Sequence, residues 1–219
     1  MTTLTSDPVA TALDRMYAES QQQMTRLRER GPDDYARLQK ASAQERADAL
    51  SDIYMPVTPA AGRLLYTLVR AARPATIVEF GMSFGLSAVH LAAAVRDNGS
   101  GRVITTELSA AKIAAAKQTF AETGLSDLIT ILEGDAVSTL AAGTGPVDLV
   151  LLDGWKELYL PVLRVLEPRL STGALVIADN TEMADTKPYL DYVREPANGY
   201  TSVNFAARDT DSMEISGRV

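Results

Sequence analysis

The chain has 219 residues, 46% of them hydrophobic, and a formal charge of −7. That length suits one large α/β domain with an appendage, and an acidic chain with no dense Lys/Arg block is a poor fit for nucleic acid, which needs a concentrated basic face. Cysteine is absent, which excludes a disulfide framework, a thiolate metal site and a thiol nucleophile, so any metal would be held by oxygen or by the single histidine, His90.

The stretch from Met1 to Ala10 carries Asp7 and Pro8 and lacks a basic region followed by an apolar core, so it does not read as a signal peptide. No apolar run is long enough to span a bilayer. A cytoplasmic protein with no membrane partner is the default expectation.

Residues 9–58 read as a helical preface. Val9, Leu13, Met16, Tyr17, Met24 and Leu27 fall near helical spacing and predict a helix ending before Gly31-Pro32. A second helical stretch is expected from Asp33-Asp34, and Ser42-Ala43-Gln44-Glu45 reads as a capping box opening a third. Packing on the core is the simplest role for these helices; covering a site or mediating dimerisation are the alternatives. Thr58-Pro59 then looks like an N-cap with proline in the first turn of a helix that ends near Arg73-Pro74. We divide the chain here, into an extension over residues 1–58 that is not an independent domain and a main domain over 59–219.

From residue 76 strand and helix alternate. Strands are predicted over Thr76–Phe80, Val103–Glu107, Ile129–Glu133, Asp148–Leu152 and Ala174–Ala178. Helices are predicted over Ser87–Val95, from the cap Ser109 to Gly124, around Val137–Leu140, from Tyr159-Leu160-Pro161, and over Thr186–Arg194. Ser202–Ala206 and Ser212–Arg218 read as a terminal hairpin. The pattern predicts a doubly wound, mostly parallel sheet.

Two segments carry chemistry. Asp153-Gly154-Trp155-Lys156 and Asp179-Asn180 each follow an apolar strand, and in an open parallel sheet such strand ends share one crevice. Two carboxylates and an amide oxygen make a hard, all-oxygen site suited to a divalent cation such as magnesium. Lys156 is placed to reach a proton on a bound substrate. The competing readings are a helix-capping role for Asp179-Asn180, a solvated Lys156 and a core-anchoring Trp155. His90 sits inside a helix and reads as structural.

At the other strand ends, Gly81 and Gly85 let backbone approach a ligand, with a helix N-terminus behind them. Their G-x-x-x-G spacing is not the dinucleotide G-x-G-x-x-G. Glu107 closes the second strand, where a carboxylate can accept both ribose hydroxyls of an adenosine-containing cofactor; the bland reading is an acid that suits the next helix's dipole. Gly134-Asp135-Ala136 after the third strand makes a third wall of one adenosine site.

These motifs, in this order, resemble the class I S-adenosylmethionine-dependent methyltransferases, in particular the metal-dependent catechol and caffeoyl-CoA O-methyltransferase family. The likeness runs from about Tyr54 onward and rests on Glu79-Phe80-Gly81 with Ser87, Glu107, Gly134-Asp135-Ala136, Leu152 to Lys156 with Tyr159-Leu160-Pro161, and Ala178-Asp179-Asn180. The resemblance implies a Rossmann-like fold with a C-terminal antiparallel hairpin and transfer of a methyl group from S-adenosylmethionine to a hydroxyl of a catechol-like aromatic. It implies that Glu107 holds the ribose, that Glu79, Gly81 and Ser87 belong to the turn near the methionine part, and that Gly134, Asp135 and Ala136 border the adenine with Trp155. Met55 and Val57 match a segment that contacts cofactor and substrate. Asp153, Asp179 and Asn180 would bind magnesium or a similar divalent cation, Asp153 also bordering the cofactor, and Lys156 would be the general base toward a metal-bound phenolate. A phenol with a pKa of about 10 is a poor nucleophile until ionised, and orientation supplies the larger contribution because the sulfonium methyl is already activated. A homodimer formed through the preface is a further implication.

Two departures stand out. Animal members of the family carry a histidine where this chain has Gly154, and an acid near the hairpin start where Val203 to Ala207 has none; Asp209 is the nearest carboxylate. The alternatives are a methyltransferase with a non-catechol acceptor and a catalytically silent S-adenosylmethionine-binding module; a nicotinamide dehydrogenase is disfavoured by the missing third glycine.

Overall fold

The computed structural model describes residues 2–28, 37–38, 40–208 and 211–219. The expected break at Gly31-Pro32, the helix start at Asp33-Asp34 and Asp209 lie outside those residues. Seven strands form one sheet in the order β3-β2-β1-β4-β5-β7-β6. They are β1 (Thr76–Phe80), β2 (Arg102–Glu107), β3 (Ile129–Glu133), β4 (Val147–Leu152), β5 (Leu170–Ala178), β6 (Tyr200–Arg208) and β7 (Asp211–Arg218). The first five run parallel, and β7 is antiparallel to both β5 and β6. This is the doubly wound sheet with a terminal hairpin that the alternation predicts.

Eight helices are described: α1 (Asp7–Arg28), α2 (Ala43–Ala49), α3 (Pro59–Ala72), α4 (Leu86–Asn98), α5 (Ala110–Glu122), α6 (Ala136–Ala141), α7 (Tyr159–Leu166) and α8 (Lys187–Arg194). Their starts follow local chemistry. Ser42 and Glu45 form the expected capping box at α2, Thr58 accepts from the Ala61 N–H ahead of Pro59, and Ser109 accepts from the Lys112 N–H. Each such cap is worth about 1 kcal/mol.

Successive strand residues face opposite sides, and helices cover both. Ile77, Val103, Leu149, Leu151 and Ile177 pack with α1, α3, α4 and α5; Val78, Phe80, Val150, Leu152 and Val176 pack with α6, α7 and α8. All five residues of β1 are therefore buried, as parallel strands require. α1 supplies Val9, Leu13 and Met16 to the first of these cores.

α4 is buried nearly all round, and its Ala88, Ala92, Ala93 and Ala94 let neighbouring elements approach closely. His90 on this helix is buried, its Nδ1 3.0 Å from the Leu86 carbonyl oxygen. A Cβ on Gly62 of α3 would lie 2.6 Å from its ring, so the histidine fills a helix–helix contact. β5 begins at Leu170 rather than at the expected Ala174. Its first residues are partly exposed, with a register shift against β4 between Val147 and Leu149, so the apolar run marks only its inner half.

Candidate active site

The sheet grows outward from β1 to β3 and then resumes on the other side of β1 with β4. A ligand crevice opens at such a switch point, beyond the carboxyl ends of the strands. Backbone bonds extend the ladder into the loops. The Asp153 N–H donates to the Phe80 carbonyl at 2.8 Å, Asp179 to Leu152 at 3.0 Å, Met82 to Thr106 at 2.9 Å and Gly134 to Glu107 at 2.9 Å. The sheet thereby fixes the first residues of four loops, and these loops line one cavity of about 380 Å³.

At one end stand Gly81, Ser83, Glu107, Gly134, Asp135 and Ala136. Gly81 has φ +97°, and a Cβ there would lie 2.5 Å from the Gly154 amide nitrogen. Backbone meets backbone at that point, so the glycine is required by contact as well as by conformation. The Glu107 carboxylate accepts the Ser83 N–H at 2.7 Å on one oxygen, and the Leu108 and Ser109 N–H groups at 2.8 and 2.9 Å on the other. Asp135 lines the cavity while its Oδ1 caps α6 through the Ser138 N–H at 2.8 Å. Ser87 faces a small recess between Tyr54, Gly81, Met82 and Asp153.

Val57 and Glu79 do not line the cavity. Val57 is buried in the core, and Glu79 is wholly buried on β1, where its carboxyl accepts from the Thr105 hydroxyl. Burial pushes the Glu79 carboxyl up to about 7, against the pull of the Ser87 and Thr105 hydroxyls.

The other end gathers Asp153, Trp155, Lys156, Asp179 and Asn180. Lys156 Nζ lies 3.4 Å from Asp153 Oδ1 and donates to the Tyr159 hydroxyl at 2.7 Å, while that hydroxyl donates to the Asp179 carbonyl oxygen at 2.8 Å. Tyr159 has one proton and spends it on Asp179, so toward Lys156 it acts only as an acceptor. The Tyr159 oxygen thereby anchors the Lys156 side chain at the cavity wall. Asn180 adopts φ +58°, and its amide nitrogen donates to Asp211 Oδ2 at 2.5 Å, leaving the amide oxygen as its ligating atom.

Burial pushes the Asp153 carboxyl up to about 8; Lys156 opposes this, and the nearby Asp179 and Glu79 add to it. Crowded, desolvated carboxylates are the chemistry a dication relieves, and an all-oxygen donor set suits a hard one. The donors present thus fit a divalent cation. Among the described residues no group of three or more His, Asp or Glu could hold a metal.

Several lining residues escaped the sequence reading: Tyr54 in its stacking role, Ser83, Thr106 and Lys112. Lys112 left one signal. A cation in the first turn of a helix opposes the dipole, so its position called for a reason other than helix stability. Gly154 also gains its explanation here, because a Cβ would lie 2.4 Å from the tip of the Phe80 ring. Among the described residues no helix is long and apolar enough to cross a membrane.

Residues 78–181 match a family model described as a methyltransferase domain. The chain is 33% identical over 147 residues to catechol O-methyltransferase of Mus musculus, covering 64% of this chain and 55% of that protein. It thus spans just over half the length of the mouse relative. Against catechol O-methyltransferase of Sus scrofa it is 33% identical over 140 residues, covering 61% of this chain and 74% of the relative. The crystal structure of an O-methyltransferase from Bacillus cereus in complex with S-adenosylhomocysteine shares the fold, with a TM-score of 0.69 at 19% identity, over 82% of this chain and 92% of that one. On the strength of the Sus scrofa relative, of which it covers nearly three quarters, the chain belongs to the catechol O-methyltransferase-like family of class I S-adenosylmethionine-dependent methyltransferases.

Proposed function

We propose that the chain transfers a methyl group from S-adenosylmethionine to a hydroxyl of a small, catechol-like aromatic, with Asp153, Asp179 and Asn180 holding a divalent cation and Lys156 acting as general base. The observation that carries this reading is the single cavity that joins the glycine turn and Glu107 to the Asp153–Lys156–Asp179–Asn180 cluster. The catechol relatives support the choice of acceptor.

When bound, the cofactor supplies a methyl group activated by a positive sulfur, and the cation supplies charge that favours an ionised hydroxyl. The chain's own residues do the rest. Gly81 lets the β1–α4 turn lie close to the ligand, and Glu107 accepts from the ribose. Trp155, with the Arg46 guanidinium 4.4 Å above its ring, walls the pocket. Lys156 takes the hydroxyl proton at Nζ as the oxygen attacks the methyl carbon and the sulfur keeps the electron pair of the broken bond. Tyr159 positions Lys156 by accepting one of its N–H groups. Tyr54, Met55 and Pro56 serve in this reading as a roof over the cofactor end.

Lys156→Met tests the assignment. Turnover should fall on the order of a hundredfold or more, while the affinity for S-adenosylhomocysteine stays that of the wild type. Full turnover in that variant would remove Lys156 from the mechanism.

A further inference from the structure

The ribose end of the cavity leaves two polar demands open. A carboxylate offers about four acceptor positions, and on Glu107 three are already used by the Ser83, Leu108 and Ser109 N–H groups. A ribose presents two hydroxyls, so Glu107 has room for one of them. The second demand is Lys112. Its side chain is 2% exposed and lines the same cavity. Its ammonium lies 5.5 Å from the centre of the Phe84 ring, with Glu107 and Asp52 as charged neighbours. Among the described residues its ammonium makes no hydrogen bond. A cation with so little solvent contact gains from an acceptor offered inside the cavity, and its place in the first turn of α5 works against the helix dipole.

We propose that Lys112 donates to one ribose hydroxyl oxygen of the bound cofactor while Glu107 accepts the proton of the other, the two side chains forming a ribose clamp. This rests on the cofactor reading above and adds a second recognition residue to it. The competing group is the Ser83 hydroxyl, which is buried and has no hydrogen-bond partner.

The test is calorimetric binding of S-adenosylhomocysteine and of its 2′-deoxy and 3′-deoxy analogues to wild type, Lys112→Met and Ser83→Ala. Lys112→Met should weaken S-adenosylhomocysteine on the order of ten- to a hundredfold. For one of the deoxy analogues the same substitution should cost nothing further, because the contact is already gone. An equal loss with all three ligands would make Lys112 a structural residue and overturn the clamp. So would a hydroxyl-specific loss that follows Ser83→Ala instead, or deoxy analogues that bind wild type as well as the parent does. Wild type that binds none of the three would instead defeat the cofactor reading, and the clamp with it.

Discussion

A carboxylic acid taken out of water loses the hydration that favours its charged form, and Glu79 sits in that position at the centre of the sheet, with no exposed surface. Its carboxyl is held at about 7 in the folded chain against an ordinary value of 4.5. Below pH 4.5 both folded and unfolded chains carry the proton; between 4.5 and 7 only the folded chain retains it. Folding stability from this group is therefore fully present in acid and is lost as pH rises through that window. Glu79→Gln should remove the slope, gaining roughly 3 kcal/mol relative to wild type between the two ends. Urea unfolding at both pH values measures it, and parallel profiles for the two proteins would contradict it. What the sequence shows at this scale is the residue type and not its surroundings. Glu79 is visible as part of the turn motif, and Gly154 as a glycine in place of a histidine. The reason for each is a partner remote in sequence, Thr105 for the acid and the Phe80 ring for the glycine.

Elements announce themselves where their chemistry is local. The caps at Ser42, Thr58 and Ser109 are readable because the capping partner lies three residues on. The outer half of β5 is not, since its residues are only partly buried and follow no apolar pattern. The arrangement of the segment after α2 is likewise invisible in sequence. Tyr54 stacks on Phe84 with ring centres 4.0 Å apart, and α1 holds it from behind: the Tyr54 hydroxyl donates to Glu19 at 2.8 Å and its N–H to Gln23 at 2.8 Å. Helix α1 thus ties the roof segment to the turn that follows β1. An aromatic stack of this kind is worth about 0.5–1.5 kcal/mol beyond its buried area. Tyr54→Ala should therefore weaken S-adenosylhomocysteine binding about three- to tenfold in calorimetry, by loosening a wall of the cavity. An unchanged affinity would show that α1 and its segment pack on the core without shaping the site.

At the scale of the whole molecule, one topological fact organises the function. Reversal of sheet growth between β1 and β4 brings Gly81 and Asp153 side by side, and parallel neighbours extend the row to Glu107 on one side and Asp179 on the other. The alternation of strand and helix predicts such a row, which is why the site's two ends could be read from chain order alone. The cavity that makes them one site depends on side chains from the preface and from α5, which alternation does not specify. The central claim is that the cofactor end and the oxygen-rich end of this cavity act together in methyl transfer. The most direct measurement is product mass after incubation with S-adenosylmethionine and a panel of vicinal dihydroxy aromatics with monohydroxy controls, in magnesium and in EDTA. A singly methylated dihydroxy product that disappears in EDTA is the predicted result. Turnover that EDTA leaves undiminished would contradict the role given to Asp153, Asp179 and Asn180.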